Sequence, residues 1–382
     1  MTAGEVSGDR QAAHLAAAIL RQNPRVQLYG SGGERMLEAG VDIRIHTSHY
    51  GSVGFQESLR FVRPLRRVMT ELRHLVRTEP PDLAVLVDNE GFNGLLARFL
   101  HREGIPFVYY LPPQVWFWGE WRARSIAERA TAIIPAFRAE AEIYAQAGGR
   151  VEWHGHPLLD IVEPEVAPEV ALSRLGLKPG RRTIAIMPGS RFQEIEQLAV
   201  PMLESVTIIK QHYPDLQVVL PLAAPHLLRS IRTALERANM RDDVTLVQSD
   251  VYSVLSKCSL VLLASGTATL EAALLGVPMV VAYRVAPITY LIGRQLVRSR
   301  FIAMPNILLD EAVVPELIQH EVTSTHLAAE ALAILSDEKR TEQLRHKLGM
   351  IRPMLGRPGV FDRAARFLLN EIQVRSPQAE AV

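Results

Sequence analysis

The chain has 382 residues, 48% of them hydrophobic and 22% charged, with 42 Lys and Arg against 41 Asp and Glu for a net charge of +1. That composition excludes wholesale disorder and collagen-like or low-complexity classes, and so balanced a charge supplies no global field for nucleic acid. The single cysteine, Cys258, excludes an internal disulfide and a thiolate metal site, and reads as a small core residue. No apolar run reaches the roughly 18 residues of a membrane-spanning helix. Residues 1–5 have neither the basic nor the apolar region of a signal peptide, so a cytoplasmic protein is expected, with attachment to a membrane surface left open.

At about 150 residues per domain, the length predicts two domains. In chain order, the first half gives a helix over 10–22, a strand over 26–29, an amphipathic helix from about residue 56, and a strand over 83–87. A helix over 92–103 and strands over 107–111 and 132–134 follow. The rhythm breaks over 160–182, where Pro164, Pro168 and Pro179 alternate with Glu163, Glu165 and Glu169. This reads as a linker followed by a short helix over 169–175. The second half gives strands over 183–187, 216–220, 244–247, 260–264 and 279–283, with helices over 194–212, 225–238 and 267–275. Strands apolar on both faces and separated by helices predict parallel sheets covered on both sides. The expected fold is therefore α/β, two Rossmann-like halves facing a cleft, with ligands beyond the carboxyl ends of the strands.

Three strand-to-helix turns suit phosphate. Ala3-Gly4-Glu5-Val6-Ser7-Gly8-Asp9 opens the first helix. Met187-Pro188-Gly189-Ser190-Arg191 adds a guanidinium that can fork onto a diphosphate. Ala264-Ser265-Gly266-Thr267 leads into a helix carrying Glu271. Glycines let the backbone approach a ligand and helix starts present free N–H groups, yet a lone turn of this kind is more often only a tight turn. Two of them at one sheet edge favour a nucleotide diphosphate in the second half. None fits a Walker A loop or a full G-x-G-x-x-G fingerprint, so ATPase and dehydrogenase readings lose support.

Asp88-Asn89-Glu90-Gly91-Phe92-Asn93 follows a strand, which makes Asp88 a candidate general base; the alternative is helix capping by Asp88 or Asn89. A metal on these carboxylates is disfavoured, since no third ligand accompanies them. His154 and His156 can point the same way from a strand, but a hydrogen-bonded hinge is the favoured reading. The run from Pro112 to Arg122 holds Trp116, Trp118 and Trp121, three of the four tryptophans, as a packed loop or a platform for a sugar or acyl chain.

Taken together, the residues resemble the lipid-A-disaccharide synthase family. The resemblance rests on the 3–9 turn, Gly155-His156-Pro157-Leu158, Met187–Arg191 with Glu194-Ile195, and 264–271 running on through 276–284. Pro305-Asn306-Ile307-Leu308 and Val314-Pro315-Glu316-Leu317-Ile318-Gln319 complete it. It spans nearly the whole chain. It implies a GT-B fold with domains over 1–160 and 161–355, and a C-terminal helix in 356–382 returning to the first. It implies an inverting glycosyltransferase without metal or cofactor, joining UDP-2,3-diacylglucosamine to 2,3-diacylglucosamine 1-phosphate to give lipid A disaccharide 1-phosphate and UDP. Asp88 is implied as base and Arg191 as catalytic partner of the leaving group. Gly189, Ser190, Arg191, Ser265, Gly266, Thr267, Glu271, Asn306, Glu316 and Gln319 are implied on the UDP side. Gly4, Glu5, Ser7, Gly8 and Asp9 are implied against the acceptor. Rival readings are a UDP-GlcNAc 2-epimerase on the same fold and a non-catalytic nucleotide-sugar binder.

Three departures from the family pattern stand out. Only Met1-Thr2 precede the first turn, where the family has a central strand, so the start is expected upstream. Glu90 stands where the family has proline. Gly119-Glu120-Trp121-Arg122 replaces a more basic loop. Finally, Phe55, Leu59, Phe61, Val62, Leu65 and Arg66 lie in a segment with apolar three- and four-residue spacing among arginines. The segment is either a core helix or, for bilayer-borne substrates, a dock on the cytoplasmic face of the inner membrane. Besides the lipid substrates and that membrane, no nucleic-acid partner is expected, and a homodimer is left open.

Overall fold

The computed structural model describes residues 1–4, 6–47, 58–116, 119–287, 290 and 299–375. The chain divides into two compact units, Met1–Asp160 with Leu355–Val382, and Ile161–Met354.

In the first unit, β1 (Tyr29–Gly32) pairs in parallel with β2 (Asp42–His46). Likewise β3 (Ala84–Val87), β4 (Phe107–Tyr110) and β5 (Ala132–Ile134) form a parallel set in that order. The expected gap between these sets is filled. Thr2 bridges Ser31 on one side and Leu86 on the other, both in parallel register. The Thr2 N–H donates to Val85 O, the Val87 N–H to Thr2 O, and the Ala3 N–H to Ser31 O, each at 2.9 Å. Residues 1–3 thus take the central place that the sequence reading had left empty. From there the chain builds outward to β1 and β2, then crosses to β3, β4 and β5, so the strand order reverses beside Thr2. Such a switch point leaves a crevice at the carboxyl edge of a sheet.

The helix Val6–Gln22 follows Ala3 and packs against the C-terminal helix Val360–Arg375, with His14 stacked on Phe361 at 5.2 Å. On the other side, the helix Ser58–Thr78 lays Val68, Met69, Leu72 and Val76 into a core shared with Phe92, Leu96, Leu100 and Phe107. These positions recur at three- and four-residue spacing, as one face of a helix does.

The second unit is one six-stranded parallel sheet. Its strands are β6 (Thr183–Met187), β7 (Gln217–Pro221), β8 (Val244–Val247), β9 (Leu260–Ala264), β10 (Met279–Tyr283) and β11 (Glu316–Ile318), in the order β11-β10-β9-β6-β7-β8. The order reverses between β6 and β9. The central strands are the most apolar because both their faces are covered; β9 is buried at all five positions, whereas the edge strands β8 and β11 are only partly buried. Cys258 is buried in this unit, and burial pushes its thiol up to about 12.

Candidate active site

In the first unit, the 3–9 turn and the Asp88-Asn89 turn flank the switch point and press on each other. A Cβ on Gly4 would stand 1.7 Å from Asn89 Nδ2, and one on Gly8 would stand 3.7 Å from the Asp88 Cβ. Glycine at position 4 thus leaves room for the Asn89 side chain. Asp88 and Asn89 are both left-handed, at φ 50° and 47°. Two consecutive non-glycine residues in that region cost of order 1–3 kcal/mol each and persist only where the surroundings fix them. Here the fixing groups are plain. The Asp88 N–H donates to Tyr110 O at 3.1 Å. Its carbonyl accepts from Asn93 Nδ2 at 2.8 Å and from the Tyr109 hydroxyl at 3.3 Å. Asn93 also donates to Val87 O at 3.1 Å and accepts from Thr2 Oγ1 at 2.9 Å. Capping by Asn89 loses its support: Asn89 occupies the N-cap of the helix Glu90–Arg102, and its side chain makes no capping bond. Asp88 is half-buried at the lip of the sheet.

Asp9, in the same turn, reaches the start of the next helix. It is buried, and its carboxylate accepts the N–H groups of Gly33, Arg35 and Met36 at 2.7, 3.2 and 3.4 Å. It therefore holds the start of the helix Glu34–Glu38. Glu5 and Phe55, the side chains of Leu59, Phe61 and Val62, and Phe117 and Trp118 lie outside the described residues. Leu65 is half-buried against the core, while Arg66 is exposed.

Glu90, one departure from the family pattern, meets Arg122 at the end of the 119–122 loop. Their side chains form an ion pair, and Arg122 Nε also donates to Gly119 O at 3.2 Å. Next to it, Trp116 Nε1 donates to Glu140 at 3.0 Å, and the same carboxylate accepts the Ala136 and Phe137 N–H groups. Burial pushes the Glu140 carboxyl up to about 8; the three donors resist this, and the charge of Asp88 adds to it. The histidine pair stays neutral. Burial lowers His156 to about 3, and burial with the Arg363 charge lowers His154 to about 4. Among the described residues no group of three His, Cys, Asp or Glu is placed to hold a metal.

In the second unit, the 188–191 and 265–267 turns lie side by side, because β6 and β9 are neighbours across the switch point. Arg191 stands at the N-cap of the helix Phe192–His212, paired with Glu194. Gly266 is the N-cap of the helix Thr267–Leu274, left-handed at φ 148°, with open space where a Cβ would be. Gly266 and Thr267 are exposed, whereas the Ser265 hydroxyl donates to Ile302 O at 2.8 Å. Glu271 is buried and accepts from the Tyr252 hydroxyl at 3.1 Å.

The three remaining nucleotide-side residues are bound to the chain itself. Asn306 uses both amide hydrogens, on Val314 O and Glu316 Oε1, and its oxygen accepts the N–H groups of Val313 and Val314. That exhausts its hydrogen-bonding capacity. Glu316 accepts the N–H groups of Ile302 and Ala303, at 3.1 and 2.8 Å. Gln319 brackets Val285, accepting its N–H at 2.8 Å and donating to its carbonyl at 3.0 Å. These three fix the 285 and 302–303 segments beside the 265–267 turn.

Sequence reasoning did not single out Asn93, Thr2 or Glu140. One signal was available for Asn93: a polar residue on the apolar face formed by Phe92, Leu96 and Leu100. Thr2 and Glu140 gave none, since their partners are distant in sequence.

A family model described as lipid-A-disaccharide synthetase matches residues 1–355. Among curated proteins, the lipid-A-disaccharide synthase of Geobacter sulfurreducens is 40% identical over 370 residues, covering 97% of this chain and 96% of that protein. That of Coxiella burnetii is 35% identical over 372 residues, covering 97% and 98%. Among solved structures, a UDP-GlcNAc 2-epimerase from Neisseria meningitidis bound to UDP-GlcNAc superposes with a TM-score of 0.63 at 14% identity, covering 98% of this chain and 99% of that one. At that identity the likeness is one of fold, the GT-B arrangement of two Rossmann-like domains.

Proposed function

The chain belongs to the lipid-A-disaccharide synthase family, and from that premise we propose how its residues divide the work of making the lipid A disaccharide. The donor is UDP-2,3-diacylglucosamine and the acceptor 2,3-diacylglucosamine 1-phosphate. Asp88 removes the proton from the acceptor 6-hydroxyl as its oxygen bonds to the donor anomeric carbon. The bond from that carbon to the UDP oxygen breaks, and UDP leaves with the electron pair. One base and one stabilised leaving group give inversion with no covalent intermediate. Arg191, with the exposed start of the helix Thr267–Leu274, meets the diphosphate. Asn306, Glu316 and Gln319 act through the segments they fix. Gly4, Ser7 and Gly8 shape the acceptor side beside Asp88.

The observation that carries this reading is the locked left-handed pair Asp88-Asn89, a strained turn held by Asn93, Tyr109 and Tyr110, in which the Asn89 side chain makes no capping bond. Strain of this kind gathers at functional sites. The test measures UDP release with acylated and non-acylated sugars, for wild type and Asp88→Asn. Wild type is expected to release UDP only with both acylated partners. Asp88→Asn is expected to lose at least a hundredfold in kcat, the lower end of general-base contributions, while still binding UDP. Retained turnover would remove Asp88 from the base role. UDP formed from UDP-GlcNAc alone would favour epimerase-type chemistry.

The enzyme also docks, in this reading, on the cytoplasmic face of the inner membrane through the arginines of the helix Ser58–Thr78. What supports this is an outward face bearing Arg66, Arg67, Arg73 and Arg77, all exposed, and substrates whose acyl chains are costly to expose to water.

A further inference from the structure

The phosphate-binding turn after β6 already holds an anion of its own. Glu194, in the first turn of the helix Phe192–His212, folds back over Arg191. Its Oε2 accepts the Ser190 N–H at 2.8 Å and the Arg191 N–H at 3.2 Å. Its Oε1 pairs with Arg191 Nη1 at 3.1 Å. Gly189 closes over it at φ 126°, where a Cβ would stand 2.3 Å from Glu194 Oε2. Two backbone donors and one guanidinium at a helix start are the donor set that phosphate takes. An ordinary capping box accounts for the bond to the Arg191 N–H. It does not require the bond to Ser190 or the guanidinium pair.

We propose that Glu194 is an internal anion that competes with the UDP diphosphate, so that Arg191 and the Ser190 amide exchange the carboxylate for diphosphate when the donor binds and take it back when UDP leaves. The inference rests on the reading that the diphosphate binds at Arg191. The exchange keeps the guanidinium neutralised in both states, which avoids an uncompensated charge at either end of the cycle. The pair is also accessible enough to open: the Arg191 side chain is 44% exposed and that of Glu194 is 22% exposed. The consequence is an enzyme that binds its product less tightly than its donors of hydrogen bonds would allow.

Glu194→Gln separates the charge from the cap, because an amide oxygen still accepts both N–H groups. UDP binding is measured by calorimetry at fixed salt for wild type, Glu194→Gln and Arg191→Ala. Glu194→Gln is expected to bind UDP roughly tenfold more tightly, the scale of one removed like-charge contact at a half-exposed site. The donor KM should fall with it. A merely structural role for Glu194 predicts loss of affinity, never gain. Unchanged or weaker UDP binding by folded Glu194→Gln, with Arg191→Ala still impaired, overturns the competition and leaves the diphosphate reading standing. Undiminished binding by Arg191→Ala overturns the diphosphate reading itself. Should Glu194→Gln not fold, the wild-type amide resonances of Ser190 and Arg191 decide: they shift on saturation with UDP if the carboxylate leaves them, and unmoved resonances overturn the exchange.

Discussion

His156 and Glu140 set opposite pH limits on the first unit. The His156 Nδ1 accepts the Leu158 N–H at 3.2 Å, so its proton sits on Nε2 and a second proton would break that bond. Burial holds it at about 3, against 6.5 for an unfolded histidine. Between those values the unfolded chain binds a proton that the folded chain does not. Stability from this group is therefore complete above about pH 6.5 and falls as pH drops toward 3. Glu140 works the other way. Its folded carboxyl, near 8, keeps a proton that an unfolded glutamic acid loses near 4.5. Stability from Glu140 is thus lost as pH rises through that window. Urea midpoints across pH 5 to 9 should show the alkaline limb flattened in Glu140→Gln, and the acid limb below pH 6.5 flattened in His156→Gln. If the wild-type slopes survive both substitutions, these two groups do not carry them.

At the scale of elements, the start of the helix Glu90–Arg102 and the turn before the helix Arg122–Ala127 are joined by the Glu90–Arg122 pair. The Arg122 side chain is only 11% exposed and burial lowers its pKa, so losing the carboxylate weakens a buried charge. A double-mutant cycle of Glu90→Ala and Arg122→Ala should give a coupling of about 1–2 kcal/mol in stability, and Glu90→Ala should slow turnover by displacing Asp88. A coupling near zero would mean that this pair does not hold the two segments together. The sequence could show both residues and could not show that they meet, because contact across 32 positions leaves no local periodicity. Local signals fared better. Strands such as Thr183–Met187, Leu260–Ala264 and Met279–Tyr283 were legible in full, since both their faces are apolar. The sequence pattern predicts a first strand over 26–29, and the strand lies at Tyr29–Gly32, because Gly30, Ser31 and Gly32 hide a buried strand behind turn-like residues. The half-exposed β2 and the three-residue β11 were missed for want of an apolar run. In the site, the loops were legible from glycine and charge, whereas the inward commitment of Asp9, Asn306 and Gln319 depends on partners that only the fold supplies.

At the scale of the whole molecule, a net charge of +1 means that attraction to an anionic membrane must come from one face and not from the protein as a whole. No helix among the described residues is long and apolar enough to cross a bilayer. The helix Ser58–Thr78 supplies such a face over its described side chains. Its inner side, Leu65, Val68, Met69, Leu72 and Val76, is committed to the core. The apolar stripe is therefore unavailable for insertion there, and docking through this stretch has to be electrostatic. Arg67 pairs with Glu71 and Arg77 with Glu103, so Arg66 and Arg73 carry most of the outward charge. Each arginine near an anionic surface adds about 1 kcal/mol, an attraction that fades beyond a Debye length of roughly 8 Å at physiological salt. Arg66→Glu with Arg73→Glu reverses the two exposed charges that carry that face and leaves the core face intact. The double variant should keep wild-type thermal stability and UDP release on detergent-dispersed substrates. Its co-sedimentation with anionic vesicles should fall at least tenfold, and wild-type binding should weaken as salt rises. Equal sedimentation of the two proteins would remove this helix from the membrane contact and leave its arginines as an ordinary solvated face.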